Sequence, residues 1–235
     1  PLNLVAHKVG PALAAGNSVV IKPASDTPLS ALKLTEILID AGLPAEAIQC
    51  ITGSGGIIGD ALVSNPLIRK VTFTGSQEVG EHITRTAGLK KVTMELGSNS
   101  PLIVLPDADL EKVAAATAQS GFSNAGQVCI STQRVYADKS IYADYLDVLT
   151  SKVSELAAGD PMADTVKVGP MVRESDAIRV ESWINEAVGA GARLITGGER
   201  DGAVLTPSIL AEVHPDMKIS REELFGPAVN VTPID

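Results

Sequence analysis

The sequence predicts an α/β fold of three layers, α/β/α, in which parallel sheets are covered by helices on both faces. Three observations carry this. Short runs rich in Val, Ile and Thr alternate with longer amphipathic segments along the whole chain. Short loops marked by Gly, Pro, Asn and Ser join them. The composition, 45% hydrophobic and 20% charged over 235 residues, supports a packed body of one large domain or two small ones.

Taken in order, residues 4–15 read as a helix and 18–22 as a short buried strand. Thr27 is placed to cap the next helix, Pro28 suits its first turn, and Gly42 stops it. Residues 48–52 read as a strand, and Gly53-Ser-Gly-Gly56 opens into a helix over 57–63. A strand at 70–74 leads to a helix that Ser76 starts and that runs to about Ala87. Strands follow at 92–96 and 102–105, then a helix over 109–120 capped by Asp107 or Asp109. The remainder reads as a strand at 134–137, helices at 142–157 and 173–190 (the latter ended by Gly191), and strands at 193–196, 207–213 and 228–234. Such alternation with short connections argues for a parallel sheet. A domain change is placed near residues 98–101, giving domains 1–98 and 99–235, because one strand ends in Gly97-Ser-Asn-Ser-Pro101 and another begins at once.

The formal net charge is −9 and no block of Lys or Arg is present, which weighs against nucleic acid or an anionic membrane as a partner. No apolar run approaches the length that spans a bilayer, and no basic-then-apolar leader is seen. Two cysteines, Cys50 and Cys129, are too few for a disulfide framework or a cysteine metal site. His7, His82 and His214 are scattered, so no metal is expected. This balance fits a reducing, cytoplasmic setting. The chain opens on Pro1 with a helix already under way and closes on a strand cut short, so it is expected to be an internal piece of a longer protein.

Two turns carry a nucleotide signal. Gly53-x-Gly55-x-x-x-Gly59 follows a strand and opens a helix, where glycines let a backbone approach a pyrophosphate and helix amides face it. Its spacing is one residue longer than the dinucleotide fingerprint, and an ordinary strand–helix turn is the alternative. Phe73-Thr-Gly-Ser76 repeats the logic after the next strand, with Ser76 able to cap a helix or reach a phosphate. Lys22, at the end of the first strand, can reach a ribose or phosphate. Two residues carry reactivity. Cys129, in Asn124-Ala-Gly-Gln-Val-Cys129, is a candidate nucleophile on an exposing turn, whereas Cys50 reads as an inert buried thiol. Glu95 ends the apolar strand Val92-Thr-Met-Glu95, where burial would raise its pKa toward that of a useful base. A salt-bridged strand-end carboxylate is the alternative. Base and nucleophile are expected to serve one site.

These residues resemble the aldehyde dehydrogenase superfamily along essentially the whole chain. The motifs are Gly10-Pro-Ala-Leu-Ala-Ala-Gly-Asn17, Lys22-Pro23, Phe73-Thr-Gly-Ser76, Met94-Glu-Leu-Gly97, Gly126-Gln-Val-Cys129 and Glu222-Glu-Leu-Phe-Gly-Pro227, in the family's order and approximate spacing. The resemblance implies an incomplete aldehyde-dehydrogenase-like fold, with 1–98 the second part of the coenzyme domain and 99–235 a truncated catalytic domain. It implies oxidation of an aldehyde to an acid with NAD or NADP, through a thiohemiacetal and thioester on Cys129. Glu95 would be the deacylation base. Lys8 would lie near the catalytic water and His7 near the substrate tunnel. Lys22 would contact the adenosine ribose, with Ser76 and the turn holding Gly55 and Gly59 beside the pyrophosphate and adenine. Glu223 would hold the nicotinamide ribose and Phe225 pack near its ring. The family's acylating branch lacks the base, so Glu95 favours a hydrolytic enzyme. The implied partner is a small aldehyde, and the full-length protein would be a homo-oligomer.

Two substitutions depart from the family. Ser98 replaces the second glycine of a common Glu-Leu-Gly-Gly. Ser25 stands where many NAD-preferring members carry a glutamate that repels a 2′-phosphate, which points to acceptance of NADP. The family's oxyanion asparagine would fall two residues before Pro1, so this chain alone is expected to be inactive or nearly so. A non-catalytic structural or nucleotide-binding fragment and an acyl-transferring thiol enzyme are the competing readings.

Overall fold

Strand–helix alternation resolves into two units, Pro1–Gly97 and Ser98–Asp235, in a computed structural model that describes residues 1–235.

In the first unit, α1 (Asn3–Ala14) precedes β1 (Val19–Ile21), and α2 (Leu29–Asp40) leads to β2 (Ile48–Cys50), which runs parallel to β1. Val9, Ile21, Ala31 and Ile48 form the small core between them. A wide helical turn at Gly55–Gly59 continues into α3 (Asp60–Ser64). The second pair is β3 (Lys70–Thr74) and β4 (Lys91–Glu95), parallel, with α4 (Gln77–Ala87) between them in sequence. Val71, Phe73, Val92 and Met94 pack on Val63, Ile83 and Ala87. Thr72, Thr93 and Glu95 on alternate positions are exposed, so one face of this pair is covered rather than the two expected. Nor is the unit one sheet: β1–β2 and β3–β4 are separate pairs.

In the second unit, five strands pair in the order β5 (Pro101–Val104), β6 (Arg134–Asp138), β11 (Ala228–Ile234), β10 (Ser208–Ala211), β7 (Arg193–Thr196). The first three junctions are parallel, and β7 runs antiparallel to β10. The sheet is thus parallel as expected except at this one edge. The chain runs from β7 to β10 through residues 197–207 with no helix between them, so it lacks the crossover a parallel pairing needs. A two-residue hairpin, β8 (Arg200–Asp201) with β9 (Val204–Leu205), was not anticipated. All four residues of β10 and the first four of β11 are buried, which requires cover on both faces. The helices are α5 (Leu110–Phe122), α6 (Tyr142–Ser154), α7 (Glu174–Gly189) and the short α8 (Lys218–Arg221).

Capping explains where two helices start. Asp109 accepts the Lys112 N–H at 3.2 Å and opens α5, and Ser76 accepts the Val79 N–H at 3.4 Å and opens α4. Thr27 does not play this part. Pro28 itself precedes α2, with no side-chain cap bond. Helix α6 stops at Ser154, short of the predicted residue 157.

Within the larger core, Tyr145 and Thr117 are both buried and their hydroxyls meet at 2.9 Å, joining α6 to α5. Burial pushes the Tyr145 phenol up to about 12 from 10.0. The unfolded chain therefore releases this proton first, so stability is fully present below pH 10 and is lost as pH rises toward about 12. Urea unfolding of wild type at stepped alkaline pH is expected to show this fall, and Tyr145→Phe is expected to reduce it while costing about 1 kcal/mol near neutral pH.

Candidate active site

The nucleophile turn is built from an unusual backbone. After α5, Asn124, Ala125 and Gly126 take left-handed φ values of +52°, +55° and +69° in succession. Asn tolerates this region, but Ala does so only when its surroundings hold it, and Ala125 is buried. The hold is visible. The Gln127 side-chain amide donates to the Asn124 carbonyl at 3.0 Å, and the Asn124 amide donates back to the Gln127 carbonyl at 3.2 Å. The Gln127 side-chain oxygen also accepts the Val172 N–H at 3.0 Å. Gly126 lies against Gly226, and a Cβ at 126 would fall 2.1 Å from the Gly226 carbonyl oxygen. Gly226 is hemmed in by Val180, which a Cβ there would meet at 2.5 Å.

Cys129 follows on the corner of a turn closed by the Ser131 N–H donating to the Val128 carbonyl at 2.9 Å. It is half-buried, its thiol is free, and its backbone N–H has no acceptor in the chain. Ser131 is buried and donates to the carbonyls of Ser120 and Gly121, tying the turn to the end of α5.

The Glu223 segment belongs to the same unit. Glu223 accepts the Ser98 N–H at 2.9 Å, and Leu224 is buried. Phe225 takes φ +50° and stays 38% exposed, its ring available at the surface. Ser98, flagged above as a departure from the family, thus supplies a backbone donor to a predicted cofactor residue. Sequence reasoning missed that contact, and it missed the approach of Gly126 to Gly226. Glycines in both motifs were the one visible signal.

The first unit holds the other predicted residues. A cleft of about 300 Å³ is lined by Pro23, Ala24, Ser25, Pro28, Thr52, Gly53 and Ser54. Ser25 is exposed at its edge and donates to the Gly53 carbonyl at 3.4 Å. Lys22 is half-buried and donates to the Pro23 carbonyl at 2.7 Å. At Gly55, Gly56 and Gly59 a Cβ would meet nothing within 4 Å, so no packing in this chain demands glycine there. Bare backbone beside a cleft, next to the start of a helix, fits a phosphate-bearing nucleotide. Ser76 caps α4 with its oxygen, which leaves its hydroxyl proton to donate.

Lys8 donates to Thr74 Oγ1 at 2.7 Å, and Thr74 is the register partner of Glu95. The structure therefore brings Lys8 to the strand ends where Glu95 sits. Glu95 is exposed, which corrects the burial expected from its apolar strand: Val92 and Met94 face the core and Glu95 alternates away from them. His7 is exposed. No group of three His, Cys, Asp or Glu side chains is arranged to hold a metal. No helix is long and apolar enough to cross a membrane.

The second unit thus holds a free thiol on a braced turn, and the first holds a cleft bordered by bare glycine backbone, on an α/β framework. The chain belongs to the aldehyde dehydrogenase family, which it matches over residues 1–235. It is 52% identical over 235 residues to a 3-sulfolactaldehyde dehydrogenase of Priestia aryabhattai, covering 100% of this chain and 49% of that protein. It is 44% identical over 232 residues to the succinate-semialdehyde dehydrogenase [NADP(+)] GabD of Escherichia coli, covering 97% of this chain and 48% of that one. Among solved structures, glyceraldehyde-3-phosphate dehydrogenase GapN of Methanocaldococcus jannaschii, complexed with NADP, superposes with a TM-score of 0.96 at 38% identity, covering 100% of this chain and 52% of that chain. The chain spans about half the length of the curated relatives it matches.

Gly126→Ala drives a side chain into the Gly226 carbonyl and is expected to cost at least about 2 kcal/mol of stability. Gly189→Ala, whose Cβ meets nothing, is the control and is expected to cost nothing in the same urea titration. Burial raises the Cys50 thiol above its ordinary range. Cys50 is therefore expected to alkylate more slowly than Cys129 at pH 8, read by peptide mass mapping.

Proposed function

We propose that the complete polypeptide containing this chain oxidises a small aldehyde to the carboxylic acid with NAD or NADP, by covalent catalysis at Cys129. The observation that carries the reading is the strained, braced turn that sets Cys129 at a corner, packed through Gly126 on the Gly226 end of the Glu223–Phe225 segment. Strain of this kind persists where a function needs the geometry. The first unit would serve the adenosine half of the coenzyme and supply Glu95, and the second would carry the thiol with Glu223 and Phe225.

In the proposed reaction, the Cys129 thiolate adds to the aldehyde carbon, and the new oxyanion is stabilised by the unpartnered Cys129 N–H. When bound, NAD or NADP supplies the hydride acceptor. Loss of hydride from the tetrahedral carbon leaves an acyl group joined to the Cys129 sulfur as a thioester. Glu95 takes a proton from water, the water oxygen attacks the acyl carbon, and the carbon–sulfur bond breaks to give acid and thiolate. Exposure suits Glu95 to meet water. Glu223 and Phe225 would hold the ribose and ring of the nicotinamide half. Lys22, Ser25, the Gly55–Gly59 turn and Ser76 would hold the adenosine and phosphate half.

The relatives' names point to short aldehydes that also carry an acid or hydroxyl group, and we extend that substrate class to this protein. A reducing cytoplasmic setting and self-association of the complete polypeptide complete the proposal. The 235-residue chain alone is expected to show no turnover, since it spans about half the length of its relatives. Measurable NAD(P)H formation by the purified chain would overturn that.

Ser25 is the specificity handle. Its short neutral side chain tolerates a 2′-phosphate in the cleft, whereas a carboxylate would repel one. Steady-state kinetics of Ser25→Glu in the complete polypeptide are expected to raise the KM for NADP by about tenfold or more while changing that for NAD little. Equal effects on both coenzymes would remove Ser25 from the recognition site.

A further inference from the structure

The segment that carries Glu223 is held by side-chain carboxamides rather than by a ladder of its own. Helix α8 ends at Arg221, and Glu222 is already extended, with φ −109° and ψ 155°. Three amides from three different places then seize the backbone. Asn230, on β11, donates to the Ile219 carbonyl at 2.9 Å. Asn99, just before β5, donates to the Ser220 carbonyl at 2.9 Å and to the Glu222 carbonyl at 3.2 Å. Gln133, just before β6, accepts the Leu224 N–H at 2.6 Å. The residues on either side of Glu223 are thereby both pinned, one through its carbonyl and one through its N–H.

Gln133 is 1% exposed and Asn230 3% exposed. Each of the three still leaves one polar atom buried without a partner: Gln133 Nε2, Asn230 Oδ1 and Asn99 Oδ1. A buried unpaired polar atom costs about 1–3 kcal/mol, so the amides pair the backbone of the segment without full satisfaction of their own atoms. What the amides achieve is a fixed backbone register. Gln133 has a second tie, since its own carbonyl accepts the Asn230 N–H at 2.8 Å. It also lies four positions after Cys129. One residue thus links the strand that leaves the nucleophile turn to the segment that bears Glu223. Asn99 is anchored in turn by Arg134, which donates to the Asn99 carbonyl from Nε at 2.9 Å and from Nη2.

We infer that Gln133 and Asn99 are positioning residues that set Glu223 at a fixed place relative to the Cys129 turn, for binding of the coenzyme. The inference rests on the proposed role of Glu223 and goes beyond it: neither residue touches the coenzyme, and both act through the backbone of the Glu223 segment.

The test uses the complete polypeptide with NADP and NAD as probes. Gln133→Met keeps the volume and removes the acceptor; Asn99→Ala removes the second clamp at a half-buried site and carries the test if the first variant does not fold. Each is expected to raise the coenzyme KM about three- to tenfold, the loss of about one hydrogen bond's hold. Alkylation of Cys129 without coenzyme, which general unfolding would alter, is expected to stay within about twofold. In a Glu223→Ala background either substitution is expected to add less than about twofold, because the group being positioned is gone. If Glu223→Ala raises the coenzyme KM but Gln133→Met and Asn99→Ala do not, the positioning role is wrong while the reading of Glu223 stands. Full additivity of the double variants would likewise assign the amides to stability alone. If Glu223→Ala has no effect on the coenzyme KM, the role of Glu223 fails and the inference falls with it.

Discussion

In the second unit the chain at Gly126 passes so close to the Gly226 carbonyl that a Cβ at 126 would fall 2.1 Å from its oxygen, while a Cβ at Gly226 would strike Val180. That contact is the constraint on which the rest of the site depends. The left-handed run at residues 124–126 carries the chain from the buried end of α5 past Gly226 to Cys129. The contact also fixes the end of the segment that carries Glu223 and Phe225. The reciprocal amide bonds of Asn124 and Gln127 offset the strain of two non-glycine residues in a costly region.

The first unit meets a different demand. In the proposed reading a nucleotide needs bare backbone and open space rather than jammed backbone, and Gly55, Gly56 and Gly59 would provide it beside the cleft bounded by residues 23–25 and 52–54. Gly53, in the same loop, is glycine for another reason: its φ is +144° and a Cβ would strike Ile58. One short motif therefore contains a glycine that the fold requires and glycines that the packing of this chain does not require.

Much of this was legible in the chain. Ser76 and Asp109 were recognisable caps because each precedes an amphipathic run at the right distance, and the strand at 70–74 has a pattern that only a strand satisfies. Cys129 and Glu95 stood out because reactive side chains sat in glycine-flanked turns. Other features lay outside what local pattern can carry. The antiparallel placement of β7 depends on where a turn sends the chain, which the apolar pattern of 193–196 does not encode. The expected burial of Glu95 came from reading an apolar strand as covered on both faces, when Val92 and Met94 alternating with Thr93 and Glu95 already marked one face as open. The bond from Ser98 to Glu223 and the clamp of Gln133 on Leu224 join residues 125 and 91 positions apart, and no spacing rule reaches that far.

At the centre of the proposed reaction stands a thiol that would carry the substrate's acyl group until a carboxylate releases it. Removing the base while leaving the thiol should therefore trap that group. In the complete polypeptide carrying Glu95→Gln, quenching a reaction with aldehyde and NADP and mapping peptides by mass should find the acyl group on the peptide containing Cys129 and nowhere else. An unmodified Cys129 peptide, or an acyl group on another residue, in a variant that still forms one equivalent of NADPH, would contradict the mechanism at its core.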